Sequence, residues 1–223
     1  MKTLKQIGRL TGYLALRGWL LVVPVLPLGF LLWTGRRLGD VMRWVSPRRR
    51  RIAERNLKIA FGAELSRKQR AAIAAECFRQ FGMFVFEGMK FAYLSDEKAF
   101  RHIEFEPSAV ALIGEAYKKR LGVIFVSAHF GNFPLLMAKL SLEGYNIGGI
   151  MRPMRDRLAE GMFMAKRNKM GVKTIYSQPR KECVMESIRS LRNNEIVFIP
   201  IDQNFGTGGV FVDFFGRKAA TAT

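Results

Sequence analysis

The chain has 223 residues, enough for one large domain or a core with appendages, and 49% of them are hydrophobic. Lys and Arg number 37 against 18 Asp and Glu, a formal net charge of +19, which points to an anionic partner: nucleic acid, an anionic membrane surface or an acidic protein. Cys77 and Cys183 stand in helix-like stretches without ligand spacing, which excludes a cysteine-based metal site and reads as two buried thiols in a reducing compartment.

Residues 18–35, GWLLVVPVLPLGFLLWTG, carry no charge and lie between Arg17 and Arg36-Arg37. As one helix they reach roughly 27 Å, a little short of a hydrocarbon core. Pro24 and Pro27 each remove a backbone donor, so the stretch reads as a short tilted span, a re-entrant hairpin or an interfacial helix. A cleavable signal peptide fits less well, because no A-x-A-like site follows and a basic cluster does. Arg48 to Arg51, with Arg55 and Lys58 behind, suit an anionic cytoplasmic leaflet, and no recognisable nucleic-acid module accompanies them. Residues 1–37 are therefore expected to form a membrane anchor or interfacial helix, and 38–100 a helical region.

Within that region Ser66 is a candidate N-cap. Ile73, Cys77, Phe81, Phe84 or Val85, and Gly88 recur at helical spacing, the expected buried stripe of a helix over 69–94. From about residue 100 the pattern alternates. His102 to Glu106 predicts a half-buried strand, and Ala109 to Arg120 a helix. Gly122 to Ser127 is a continuous apolar run, predicting a strand buried on both faces. Helix 133–143, strand 145–150, helix 156–169, strand 172–176, helix 180–193 and strand 195–201 follow. The fold class is therefore α/β, a mostly parallel central sheet flanked by helices over 101–223, behind a helical N-terminal membrane-attachment region.

Chemistry in such sheets collects at the carboxyl ends of strands. His129, Arg152 and Asp202 each follow one such end. His102 reads as an ordinary strand or surface residue, and no cluster has metal-ligand spacing. Ser127 is not a nucleophile of the elbow type, for the chain has no G-x-S-x-G.

The string Gly122-Val-Ile-Phe-Val-Ser-Ala-His-Phe-Gly-Asn132 resembles the first block of the bacterial lipid A biosynthesis acyltransferases, of the wider lysophospholipid acyltransferase superfamily. The likeness continues through Met151-Arg-Pro153, Val197-Phe-Ile-Pro-Ile-Asp-Gln203, and Val212-Asp-Phe-Phe-Gly216 with Ala219-Ala-Thr221. Upstream, Arg49-Arg-Arg-Ile-Ala-Glu-Arg-Asn-Leu-Lys-Ile-Ala-Phe61 is similar to the segment that follows the family's anchor. The resemblance implies transfer of an acyl chain from acyl carrier protein, or another acyl thioester, to a hydroxyl of a membrane glycolipid such as a lipid A precursor. It implies this at the cytoplasmic face of a bacterial inner membrane, with no cofactor, metal or nucleic acid.

That reaction needs a base for a poor nucleophile, and imidazole, with a reference pKa of ~6.5, suits the task. His129 is the candidate. Backbone N–H groups at Gly131, Asn132 and Phe133 are candidate oxyanion donors. Arg152 matches the second block and implies a phosphate or acidic-glycan contact on the acceptor. Asp202 and Gln203 are candidates to orient His129 or to hold the acceptor hydroxyl. Phe211, Phe214 and Phe215, on an expected hairpin over 205–215, either line an acyl groove or form an aromatic core.

The family pattern places Asp or Glu five positions after the histidine, where this chain has Pro134. Three readings follow. Asp202 supplies the acid from a neighbouring strand, or His129 acts alone, or the protein is a catalytically silent lipid-binding or scaffolding homologue. Family members also continue past the position of Thr223 through another block of strand and helix, so the core is expected to lack its C-terminal end.

Overall fold

The computed structural model describes Thr11 and residues 18–19, 21–93, 100, 103–154, 156–203 and 209–221. The chain forms two compact units, Met1–Leu94 and Ser95–Thr223.

In the first unit the apolar segment is not one helix. A turn at 23–26, closed by Val25 N–H to the Val22 carbonyl at 3.1 Å, separates residues 21–22 from helix α1, Leu28–Val45. The cause is local: Pro24 and Pro27 donate no hydrogen bond. Lys90 Nζ donates to the Pro24 and Leu26 carbonyls at 3.1 and 2.6 Å. Among the described residues no helix is long and apolar enough to cross a membrane.

Helix α2, Pro47–Phe61, opens on a proline in its first turn, where no donor is missed. Helix α3, Arg67–Tyr93, starts at a reciprocal cap. Gln69 N–H donates to Ser66 Oγ at 3.3 Å, and Ser66 N–H donates to Gln69 Oε1 at 2.8 Å. The buried stripe of α3 is Ala74, Gly82 and Phe86, one position on from the expected Ile73, Cys77 and Phe81, which are exposed. Shape decides this register. A Cβ on Gly35 of α1 would stand 2.7 Å from the Gly82 carbonyl, and one on Gly39 would overlap the Phe78 carbonyl. The seam therefore closes only between small residues. Arg36 reaches both carboxylate oxygens of Glu76 at 2.9 Å, and Arg79 Nε meets Asp40 at 2.7 Å, along its flank.

The second unit is the expected α/β fold. Helix α4 (Pro107–Lys118) precedes β1 (Val123–Ser127), α5 (Phe133–Leu142), β2 (Ile147–Met151), α6 (Arg157–Lys169), β3 (Val172–Tyr176), α7 (Arg180–Arg192) and β4 (Ile196–Pro200). The four strands are parallel in the order β1-β4-β2-β3, so the last strand inserts between the first two. Ile147, Val172, Ile196 and Phe198 meet Met137 and Leu140 of α5 in the main core. Burial of this apolar area, at roughly 25 cal/mol per Å², is the largest favourable term in the unit.

Residues 103–106 form no strand but an irregular stretch; Ile103 N–H donates to the Phe100 carbonyl at 3.0 Å, and Phe105 packs on the core. His102 lies outside the described residues. Strand β1 is covered on one face only: Val123 and Phe125 are half-buried against the core, while Ile124 and Val126 on the other face are exposed; among the described residues β1 is also an edge of the sheet. Cys77 is exposed and Cys183 half-buried, both free, so neither is the fully buried thiol expected. Strands β5 (Val210–Phe214) and β6 (Arg217–Thr221) make a separate antiparallel hairpin, and Phe211, Phe214 and Phe215 are exposed on it. They form no aromatic core.

Candidate active site

Three connections leave the carboxyl ends of β1, β4 and β2, adjacent in the sheet, and carry His129, Asp202-Gln203 and Arg152. In β1 a parallel register with β4 sets Ser127 opposite Pro200, so the residues just beyond each strand emerge side by side. Gly131 turns the chain at φ 59°, a left-handed conformation that glycine adopts without penalty. Helix α5 then starts at Phe133-Pro134, after Asn132 as N-cap.

His129 Nδ1 lies 2.7 Å from Asp202 Oδ1, and the His129 backbone N–H donates to Asp202 Oδ2 at 2.9 Å. One carboxylate thus grips one residue twice. A carboxylate only accepts, so Nδ1 carries the ring proton and donates it to Asp202. Nε2 is then the lone-pair nitrogen, and the Gln203 side-chain amide donates to it at 3.2 Å. The ring edge meets Phe133 at 5.1 Å, and Phe133 stacks on Phe198, which ties the imidazole to the core. Partial burial raises the pKa of Asp202, but hydrogen bonds from the His129 ring and backbone outweigh it and hold the carboxyl below its ordinary value. Both side chains keep about a third of their surface open, 34% and 33%.

Pro134 sits in the first turn of α5 and has no acidic group. Asp202 makes the contact to Nδ1 that an orienting acid makes. The first backbone N–H groups of a helix have no partner within it and carry its positive dipole end; Gly131, Asn132 and Phe133 stand at that end of α5.

Arg152 is exposed beyond β2, and among the described residues no hydrogen bond or ion pair joins it to His129 or Asp202. Its loop is held by a residue that sequence reasoning missed. Glu160, in the first turns of α6, accepts from the Met154 backbone N–H at 2.8 Å, from Arg167 at 2.7 Å and from the Tyr176 hydroxyl at 3.0 Å. Arg167 Nε donates in turn to Thr174 at 2.8 Å. Partial burial raises the Glu160 carboxyl's pKa, and these donors more than reverse it. The legible signal was Asp156 four residues earlier, which caps α6 through Leu158 and Ala159 N–H and so brings Glu160 back toward the loop. Among the described residues no group of acids, histidines and cysteines is placed to hold a metal.

The model of the bacterial lipid A biosynthesis acyltransferases matches residues 2–223. The chain belongs to that family. It is similar to the lipid A biosynthesis lauroyltransferase of Escherichia coli (strain K12), 25% identical over 207 residues, covering 92% of this chain and 64% of the relative. It is 26% identical over 207 residues to the palmitoleoyltransferase of the same strain, covering 89% and 62%, with the same figures for a lipid A biosynthesis acyltransferase of Shigella flexneri. The chain thus spans less than two thirds of the length of these family relatives.

Proposed function

We propose that the protein transfers an acyl chain from the thioester of acyl carrier protein to a hydroxyl of a lipid A precursor, at the cytoplasmic face of a bacterial inner membrane. The observation that carries the reading is the linear arrangement Asp202, His129, Gln203, with Nδ1 hydrogen-bonded and Nε2 facing a donor. In this reading the acceptor hydroxyl takes the position that the Gln203 amide holds. Nε2 removes its proton as the oxygen attacks the thioester carbon. The tetrahedral oxyanion is met by N–H groups at the start of α5. Collapse breaks the carbon–sulfur bond, and the imidazolium returns its proton to the leaving thiolate. Asp202 stabilises the imidazolium between those steps. Arg152 binds an acceptor phosphate, and the +19 charge favours both an acidic carrier protein and an anionic leaflet.

Pro134, standing where the family pattern has its acid, supports a second reading: a silent homologue that binds the lipid without acylating it. Labelled acyl carrier protein and a lipid A precursor, mixed with the detergent-solubilised chain, separate the two. The enzyme loses turnover in His129→Ala, and by roughly 10⁴-fold in Asp202→Asn, as expected when an orienting acid is lost. Absence of turnover in the folded wild type supports the silent homologue.

A further inference from the structure

Helix α1 has two opposite faces, and among the described residues only one is buried inside its unit. Leu31, Gly35 and Gly39 are buried, the two glycines against α3. On the other side, Phe30, Trp33, Arg37, Val41 and Trp44 recur at intervals of three and four, one continuous stripe. Its apolar members are 48%, 56%, 53% and 79% exposed. Phe30 and Trp33 stack at 6.2 Å, and the Arg37 guanidinium lies 5.9 Å from the Trp33 ring. Helix α2 follows after a single residue and contains no buried residue at all. Arg48, Ile52, Arg55 and Ile59 continue the same kind of stripe, with the two isoleucines 50% and 44% exposed.

We propose that these two stripes form a docking face for an anionic bilayer, on which α1 and α2 lie in the interfacial plane. This deepens the reading that the chain works at a membrane and is independent of whether it catalyses. Large aromatic stripes on a protein surface mark an interaction site. Trp and Arg together suit the headgroup boundary, the ring at its apolar edge and the guanidinium at phosphate. Crossing is excluded for α1 by Arg36, Arg37, Asp40 and Arg43 within its 18 residues. A second copy fits poorly: α2 carries six basic residues and one acid, Glu54, so two such faces would repel. Arg48 to Arg51, Arg55 and Lys58 form no ion pair among the described residues, which leaves them to headgroups.

The purified full chain is tested by co-sedimentation with vesicles of phosphatidylcholine, with and without phosphatidylglycerol. Tight binding to the anionic vesicles, reduced by salt, is expected. Replacing Arg48, Arg49, Arg51 and Arg55 by Gln lowers that affinity on the order of 100-fold and removes the salt dependence. Trp33→Ser with Trp44→Ser weakens binding to both vesicle types roughly tenfold. In a Trp19→Phe, Trp33→Phe background, Trp44 emission is quenched by lipids brominated near the carbonyl end more than by lipids brominated near the methyl end. Far-UV circular dichroism without lipid establishes that each variant keeps its helices. Equal affinity for neutral vesicles, unaltered binding by the Gln variant, or Trp44 emission unmoved by vesicles overturns the proposal. So does a lipid-free dimer that protects Trp44, which assigns the face to a second copy. His129→Ala binds vesicles like the wild type, so loss of acyl transfer and loss of docking are separate results.

Discussion

In the helical unit two helices meet backbone against backbone, at Gly35, Gly39 and Gly82, whereas the α/β core stacks ring on ring, at Phe125, Phe133 and Phe198. The helical seam closes on small residues, and although Phe86 and Phe91 of α3 are buried, Phe30, Trp33 and Trp44 of α1 stay outside. The α/β core buries its aromatics and leaves polar groups at one end of the sheet. A helix pair held by shape tolerates no added atom; a core held by volume tolerates no lost one. The two units should therefore fail in opposite directions.

The largest effect is expected from Phe198→Ala. Phe198 is 1% exposed and stacks on both Phe125 and Phe133, so truncation should cost about 3–5 kcal/mol. Because Phe133 in turn abuts the His129 ring, the same change should loosen the site. Hydrogen exchange read by mass spectrometry should rise in β1 and β4 and stay unchanged in α1 and α3. Next is Gly82→Val, an enlargement. Its Cβ overlaps the Gly35 carbonyl, which is backbone and cannot swing aside. A loss of roughly 3 kcal/mol is expected, with fast exchange in α1 and α3 and protection retained in β1 and β4. If either variant loosens both units equally, the comparison is wrong.

The same contrast explains what could be read from the sequence. The parallel sheet was legible because each strand is a short apolar run between helical stretches, and Asp202 was legible because a carboxylate stood just past one of them. The register of α3 was not. Hydrophobicity favours Ile73 and Phe81, yet Ala74 and Gly82 face α1, since only small residues admit its backbone. The bare face of β1 was also hidden, because a continuous apolar run does not reveal that only the face of Val123 and Phe125 packs on the core while Ile124 and Val126 stay exposed. Glu160 escaped for a similar reason. In sequence it is one more acid on an exposed helix, and its three donors come from a loop, a later turn of α6 and β3.

Glu160→Ala tests whether the polar end of the α/β unit is organised as tightly as its core. Removing an acceptor that serves three donors should cost about 1–3 kcal/mol. If the loop also aims Arg152, the Michaelis constant for a phosphorylated acceptor should rise several-fold with little change in kcat. Glu160→Gln, which keeps one acceptor oxygen, should recover part of the loss. A change in stability with no change in the Michaelis constant confines Glu160 to holding the loop.

The smallest effect, and the one that separates the two ends of the sheet, is the pH dependence of Asp202. Its carboxyl is held below the ordinary value of 3.8, since hydrogen bonds from His129 outweigh partial burial. A depressed folded-state pKa means that the unfolded chain binds the proton more readily. The stabilisation is therefore fully present above the ordinary carboxylate range and is lost as pH falls through the lower folded value. The urea midpoint of the wild type should exceed that of Asp202→Asn at neutral pH, and the gap should close on acidification below about pH 4. Phe198→Ala should show no such closure, because an apolar contact carries no proton. A gap between wild type and Asp202→Asn that persists unchanged into acid would mean that the carboxylate acts through packing, not charge. The double grip on His129 would then owe its worth to shape, as the glycine seam does.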